Sequence, residues 1–184
     1  MADTRQITTR AQVERLLQVL SERAHGTLGV AARNLQTGEE ITLQAERSMP
    51  TASTFKFPVL AVIFAQAEAG TLDLDQRVPL LADDQVGGSG TLRDLEPGVQ
   101  PTLRDLATLM IVVSDNSATN MLLDRVGGPA AVNAAMQALE LPSIVVNRRL
   151  IFSGAPRGPV AEAAPQDMLR LAGARIDPRT HGPH

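Results

Sequence analysis

Ser53-Thr54-Phe55-Lys56-Phe57-Pro58-Val59-Leu60 opens the most apolar segment of this chain. Phe55 to Ala69 is apolar nearly all round, the pattern of a helix buried at the centre of a domain rather than one lying on its surface. Gly70 closes the segment, as a residue free to take the left-handed conformation that ends helices. Pro58 must sit near the start, where a missing N–H costs least. One charge stands inside this apolar run. Lys56 is the only lysine, against 16 arginines, and an unpaired charge in such surroundings is costly.

Ser53 and Lys56, three residues apart, share one face of a helix, close enough for an amine to meet a hydroxyl. Burial disfavours the ammonium and lowers its proton affinity, so such a lysine can accept a serine proton near neutral pH. Arginine stays protonated and cannot do this. If Ser53 caps the helix, the positive potential of the helix N-terminus lies where an oxyanion would form. Cysteine is absent, which excludes thiol catalysis, disulfides and thiolate metal sites. The three histidines are His25 at a helix end and His181 and His184 in a Gly-Pro tail. None is placed inside the fold for a Ser-His-Asp triad or a metal site, so no metal and no cofactor are expected, and lysine remains as the base.

Around this centre the pattern is α+β. Thr9 to Ala24 reads as an amphipathic helix with Val13, Leu16, Leu17 and Leu20 at helical spacing and Thr8 or Thr9 as cap. Thr27–Asn34 and Glu40–Ala45 read as two strands joined at Gln36-Thr37-Gly38 into a hairpin. Asp73 to Pro101 is loop-rich, and Gly87-Gly88-Ser89-Gly90 within it lacks phosphate-loop spacing, so it reads as a plain flexible loop that can border a site. Thr102-Leu103-Arg104-Asp105 is close to a capping box and starts a helix through Val113. Helices over 117–126 and 129–139 follow, separated at Gly127-Gly128-Pro129. After Val146 the pattern fades into a polar loop, and Ala164–Ala174 forms a last helix. Strands early and helices late exclude a βαβ alternation.

With 184 residues, 43% hydrophobic and 20% charged, the chain suits one compact domain. The net charge of -3 gives none of the basic footprint of a nucleic-acid binder. Phe57–Ala65 is too short to span a bilayer. Met1–Arg10 is polar and lacks the apolar run of a signal peptide. As written the protein is expected in the cytoplasm; a leader missing from the sequence would make it periplasmic or secreted.

A second motif, Ser114-Asp115-Asn116, follows a helix ending in Met110-Ile111-Val112-Val113. By itself it is a good helix-capping turn. Paired with Ser53-x-x-Lys56 it is two thirds of a known signature, S-x-x-K, S-D-N and K-T-G. With these motifs 61 residues apart, and with flanks Phe57-Pro58-Val59-Leu60, Thr102-Leu103-Arg104-Asp105-Leu106 and Ser117-Ala118-Thr119-Asn120, the chain resembles the class A β-lactamases and related penicillin-interacting serine enzymes. The resemblance extends from the N-terminal helix to Ala164-Pro165-Gln166-Asp167-Met168.

That resemblance implies a β-lactamase-like fold, with a helical part and an N-terminal hairpin belonging to a larger antiparallel sheet. It implies a small-molecule substrate, a β-lactam or related amide or ester, opened through acyl-Ser53 with Lys56 as proton acceptor. Ser114 would relay a proton to the departing nitrogen, Asn116 would bond the substrate's amide, Asp115 would support the loop, and Ser89 would lie at the cleft mouth. The Ser53 N–H would supply half of the oxyanion hole. Two departures matter. Asn147-Arg148-Arg149-Leu150 puts Leu150 where the family's deacylating glutamate stands, with Glu162 as the nearest carboxylate. K-T-G is absent. Residues 1–184 are therefore expected to form a single catalytic domain without the family's C-terminal strands, either as a fragment or with a partner chain supplying them. The alternatives are a degenerate, non-catalytic member and a penicillin-binding transpeptidase or carboxypeptidase relative.

Overall fold

The computed structural model describes residues 9–151 and 158–173; the polar N-terminus before Thr9 and the Gly-Pro tail lie outside them. Helix α1 (Arg10–Arg23) is capped reciprocally, Thr9 Oγ1 accepting from the Gln12 N–H while the Gln12 side chain accepts from the Thr9 N–H. β1 (Val30–Arg33) and β2 (Glu40–Leu43) form the expected antiparallel hairpin, in register from Val30 opposite Leu43 to Arg33 opposite Glu40. Both strands are shorter than the sequence pattern suggests, and for β1 the cause is local at each end. At Gly29 an added Cβ would lie 2.5 Å from Met49 Cε and 2.9 Å from Pro165 Cγ, so the chain before β1 is packed as a close crossing. At the other end Asn34 already begins the turn, its side chain accepting from the N–H groups of Gln36 and Thr37.

A short β3 (Met49–Pro50) leads into a 3₁₀ turn over Ala52–Phe55 and then into α2 (Lys56–Glu68). Val59, Val62 and Ile63 of α2 are buried. Gly70 follows its end at φ 71°, as the sequence requires. The loop after it is less irregular than its composition suggests. The Val78 and Leu80 N–H groups donate to the carbonyls of Pro101 and Val99, which buries Val78 and Leu80.

Three helices pack around α2: α3 (Leu103–Val112), α4 (Asn116–Arg125) and α5 (Gly128–Ala138). Thr102 and Asp105 form the capping box read from the sequence. Leu106 and Met110 of α3, Leu122 and Leu123 of α4, and Val132 and Met136 of α5 meet α2 in one core. Each such side chain contributes about 1.5–3 kcal/mol by leaving water.

The expected featureless loop after Val146 is corrected: it joins two short strands, β4 (Val145–Val146) and β5 (Ala161–Ala163). They form an antiparallel sheet in the order β3-β5-β4, with Met49 opposite Ala163 and Val146 opposite Ala161. Strands of two or three residues are too short to show an alternation, so no periodic signal marks them. α6 (Pro165–Gly173) closes the described chain and packs on β1. The whole is α+β, helix-rich with small antiparallel sheets. Among the described residues no helix is long and apolar enough to cross a membrane.

Candidate active site

Lys56 begins α2 and is 2% exposed. Its ammonium is met by three oxygens from the turn between α3 and α4. Nζ donates to the Ser114 carbonyl at 2.7 Å, to Ser114 Oγ at 2.9 Å and to Asn116 Oδ1 at 2.9 Å. Ser114 reaches it twice because its backbone is left-handed, φ 54°, a conformation that costs a serine about 1–2 kcal/mol. All three acceptors are neutral. Burial therefore dominates and pushes the Lys56 amine down to about 8, the Asp115 carboxylate pulling it the other way.

Ser53 lies in the 3₁₀ turn and is exposed. The expectation that it caps the helix is corrected: Phe55 occupies that position, with no side-chain capping bond. Ser53 precedes the regular helix, and its N–H falls in the first turn, where helical geometry offers no acceptor. Ala52 before it is also left-handed, φ 47°, and Thr51 is tied to β5 through its N–H and Oγ1, both donating to the Ala161 carbonyl. Ser53, Lys56 and Ser114 line one cavity of about 470 Å³, whose other walls include Met110, Ile111 and Met168. Ser53 Oγ is not among the hydrogen-bond partners of Lys56 Nζ, whose donors are directed at the Ser114–Asn116 turn.

That turn is fixed by Asp115, which is the N-cap of α4 and 1% exposed. Oδ1 accepts from the Ala118 N–H at 2.9 Å. Oδ2 accepts from the N–H groups of Thr91 at 2.6 Å and Leu92 at 2.9 Å. The Gly87–Gly90 loop is thereby pinned rather than free. Asn116 Nδ2 donates to the Gly87 carbonyl at 3.0 Å, and the Asn116 N–H donates to the Ser89 carbonyl at 3.0 Å. Gly90 has φ 114°, and a Cβ on it would lie 2.3 Å from Asp115 Cγ, so only glycine lets the loop approach this closely. The Ser89 side chain is exposed and is not part of the Ser53 cavity wall.

Asn120, one turn beyond Asn116 on α4, was without a role in the sequence reading. Its buried amide accepts from the Leu150 N–H at 2.9 Å and donates to the Leu150 carbonyl at 2.9 Å. Asn133 of α5 holds Val146 in the same two-sided way. The neighbouring Arg149 pairs with Asp124, 3.2 Å away, at the far end of α4. The sequence signal available was Asn116 and Asn120 at i, i+4 on a helix with no other polar need for them. Glu162 sits in β5 opposite Pro50 and Val145, outside the cavity wall. Among the described residues no group of three or more His, Asp or Glu is placed to hold a metal.

Comparison with known proteins gives the chain its family and its fold relatives. The model of a family described as the β-lactamase enzyme family matches residues 10–175. The β-lactamase L2 of Stenotrophomonas maltophilia is 34% identical over 120 residues, 65% of this chain and 39% of that protein. The crystal structure of a β-lactamase from Sphaerobacter thermophilus superposes with a TM-score of 0.81 at 32% identity, covering 91% of this chain and 63% of that one. PBP-A, in a leucine-to-glutamate variant solved as an acyl-enzyme complex with penicillin-G, superposes with a TM-score of 0.79 at 31% identity, covering 92% and 65%. The chain thus spans between 39% and 65% of the length of these relatives.

Proposed function

Because the chain belongs to the β-lactamase enzyme family, we propose that residues 1–184 act as one catalytic domain that opens β-lactams or related amides and esters through an acyl intermediate on Ser53. In this reading Ser53 Oγ attacks the carbonyl and its proton passes to the neutral Lys56 amine. The C–N or C–O bond then breaks. The leaving atom takes the proton of Ser114 Oγ, which Lys56 replaces across their 2.9 Å hydrogen bond. Asn116 keeps one Nδ2 proton beyond the one given to Gly87, and it donates this to the substrate's amide. Exposed Ser89 is a further contact at the mouth, and the Ser53 N–H is one donor to the oxyanion.

The observation that carries this reading is the convergence of Lys56 and Ser114 on the cavity that Ser53 also lines. The PBP-A variant seen as an acyl-enzyme with penicillin-G supports the β-lactam side of it. By the sequence resemblance Leu150 takes the position of the family's water-activating glutamate, and a leucine cannot take a proton, so acyl-Ser53 is expected to persist. The test is labelling of this chain with a fluorescent penicillin, read by gel fluorescence and by mass of the Ser53 peptide. Labelling lost in Ser53→Ala supports the proposal; an unlabelled chain whose folding is confirmed by circular dichroism overturns it.

A second reading, a family member that binds ligand without acylation, is favoured by one feature: the three hydrogen bonds of Lys56 go to Ser114 and Asn116 and none of them to Ser53. Nitrocefin turnover that disappears in Ser53→Ala would exclude it.

A further inference from the structure

We infer that Asp115, beyond anchoring the loop, is a positioning residue for Lys56: its buried carboxylate is the counter-charge that keeps the amine basic enough to take the Ser53 proton. The inference rests on Lys56 being the base, as proposed above. The geometry is that of two buried opposite charges at one turn, with no hydrogen bond or ion pair between them. Asp115 is 1% exposed, and its oxygens accept only from backbone N–H groups, those of Thr91, Leu92 and Ala118. Such donors solvate a carboxylate but leave its charge in place. The residues on either side of it, Ser114 and Asn116, are the ones that hold Lys56 Nζ, through oxygens that are all neutral. Among the described residues neither charge has a contact partner of opposite sign, and the two share one turn of the chain.

Of the other charged groups on the surrounding elements, Arg93 and Asp94, next to Leu92, pair with each other, Asp84 accepts from the Leu81 N–H and Asp83 is exposed. On α2, Glu68 is exposed at the opposite end from Lys56. On α3, Arg104 and Asp105 lie in the first turn, Arg104 paired with Asp75 and Asp105 bonded to Thr102. On α4, Asp124 pairs with Arg149, and the exposed Arg125 lies beside it at the helix end. On α6, Asp167 accepts from Arg170 and from the Ser143 N–H. At position 150 the residue is leucine, so no carboxylate comes from that side.

The consequence follows from two opposing effects. Burial lowers the amine's proton affinity and the Asp115 charge restores part of it, leaving Lys56 at about 8. A general base works best with its proton affinity near the working pH. Without Asp115 the amine would be neutral over a wider range, but a weaker base.

The chain's single lysine makes this directly measurable. Lysine labelled with ¹³C at Cε gives one side-chain signal in the whole protein, whose titration reads Lys56 alone. In Asp115→Asn the midpoint is expected to fall by about one pH unit, a tenfold loss of proton affinity. The pH midpoint of Ser53 acylation should fall with it. A structural role for Asp115 would slow acylation and leave both midpoints where they are, and an unchanged or raised midpoint overturns the inference. Should Asp115→Asn not fold, the unmutated chain supplies a second test, because a charge lost from Lys56 changes the field at a carboxylate close to it. The Asp115 carboxyl ¹³C signal must then carry an inflection at the Lys56 midpoint that vanishes in Lys56→Met; a flat Asp115 signal overturns the inference. Since the lysine signal is read without substrate, a chain that fails to label with penicillin sinks the proposed reaction and leaves this coupling separately decided.

Discussion

The Asn120 side chain holds Leu150 by both of its main-chain groups, at 2.9 Å each. Asn116, one turn earlier on the same face of α4, holds Lys56. One helical turn is about 5.4 Å, so the grip on residue 150 stands about one turn along α4 from the grip on the lysine. The grip is on the backbone and is indifferent to which side chain position 150 carries. That separates two things the sequence runs together: where residue 150 is placed, and what it can do there.

A carboxylate at that position should therefore arrive already placed. Leu150→Glu is expected to shorten the lifetime of the Ser53 adduct by about tenfold or more, since a positioned general base contributes at least that much to water attack. The measurement is the decay of fluorescent-penicillin label after the free reagent is removed. An adduct that decays at the same rate in both proteins would show that residue 150 does not face the acyl group.

Removing the grip should be felt in stability. Asn120→Ala leaves the Leu150 N–H and carbonyl without their partner in a part-buried setting, and each unpaired group costs about 1–3 kcal/mol. The folded state should lose about 2–4 kcal/mol by urea unfolding, with the segment around Leu150 gaining amide exchange. A loss under about 0.5 kcal/mol, the usual size for a surface site, would mean that water replaces the amide without penalty.

These grips mark the boundary of what could be read in advance. The buried helix, its lone lysine and the serine three residues before it are written into composition and spacing, because a charge in an apolar run demands a reason. Ser114-Asp115-Asn116 carried two readings, helix cap and reaction site: Asp115 does cap α4, and its neighbours hold Lys56, the contact on which the second reading is built. The β3-β5-β4 sheet was invisible because its strands are too short for a period. Asn120 could be singled out by its spacing from Asn116, but its partner, like that of Asn133, could not be read. A single asparagine on a helix face says nothing about which distant backbone it will meet. The Gly87–Gly90 loop looked flexible from its glycines, yet Gly90 is there to let the chain lie against Asp115.

In the proposed reaction the lysine's environment sets the pH dependence of acylation. Lys56 must be neutral to accept the Ser53 proton, and burial places its change of state at about pH 8. Labelling of Ser53 should rise with pH through that value and level off above it, and Lys56→Arg, which cannot deprotonate, should abolish it. Labelling rates from pH 6 to 10 check this. A profile flat across that range would remove Lys56 from the role of base.

The same displacement has a consequence for folding, with a sign that can be worked out. The folded-state value of about 8 lies below the ordinary 10.5. Between those values the unfolded chain holds a proton that the folded chain has released, so stability must rise with pH across that window. The full effect is about 3 kcal/mol, complete above 10.5 and absent below 8. The composition makes this limb unusually clean. With no tyrosine, no cysteine and no second lysine in the chain, Lys56 is the side chain whose ordinary titration falls in that range. Urea unfolding at pH 7.5, 9 and 10.5 should show stability increasing in the unmutated protein and a flat response in Lys56→Met. An unmutated protein that loses stability over that window would mean that Lys56 is charged in the folded state well above pH 8, and the reaction would need another base.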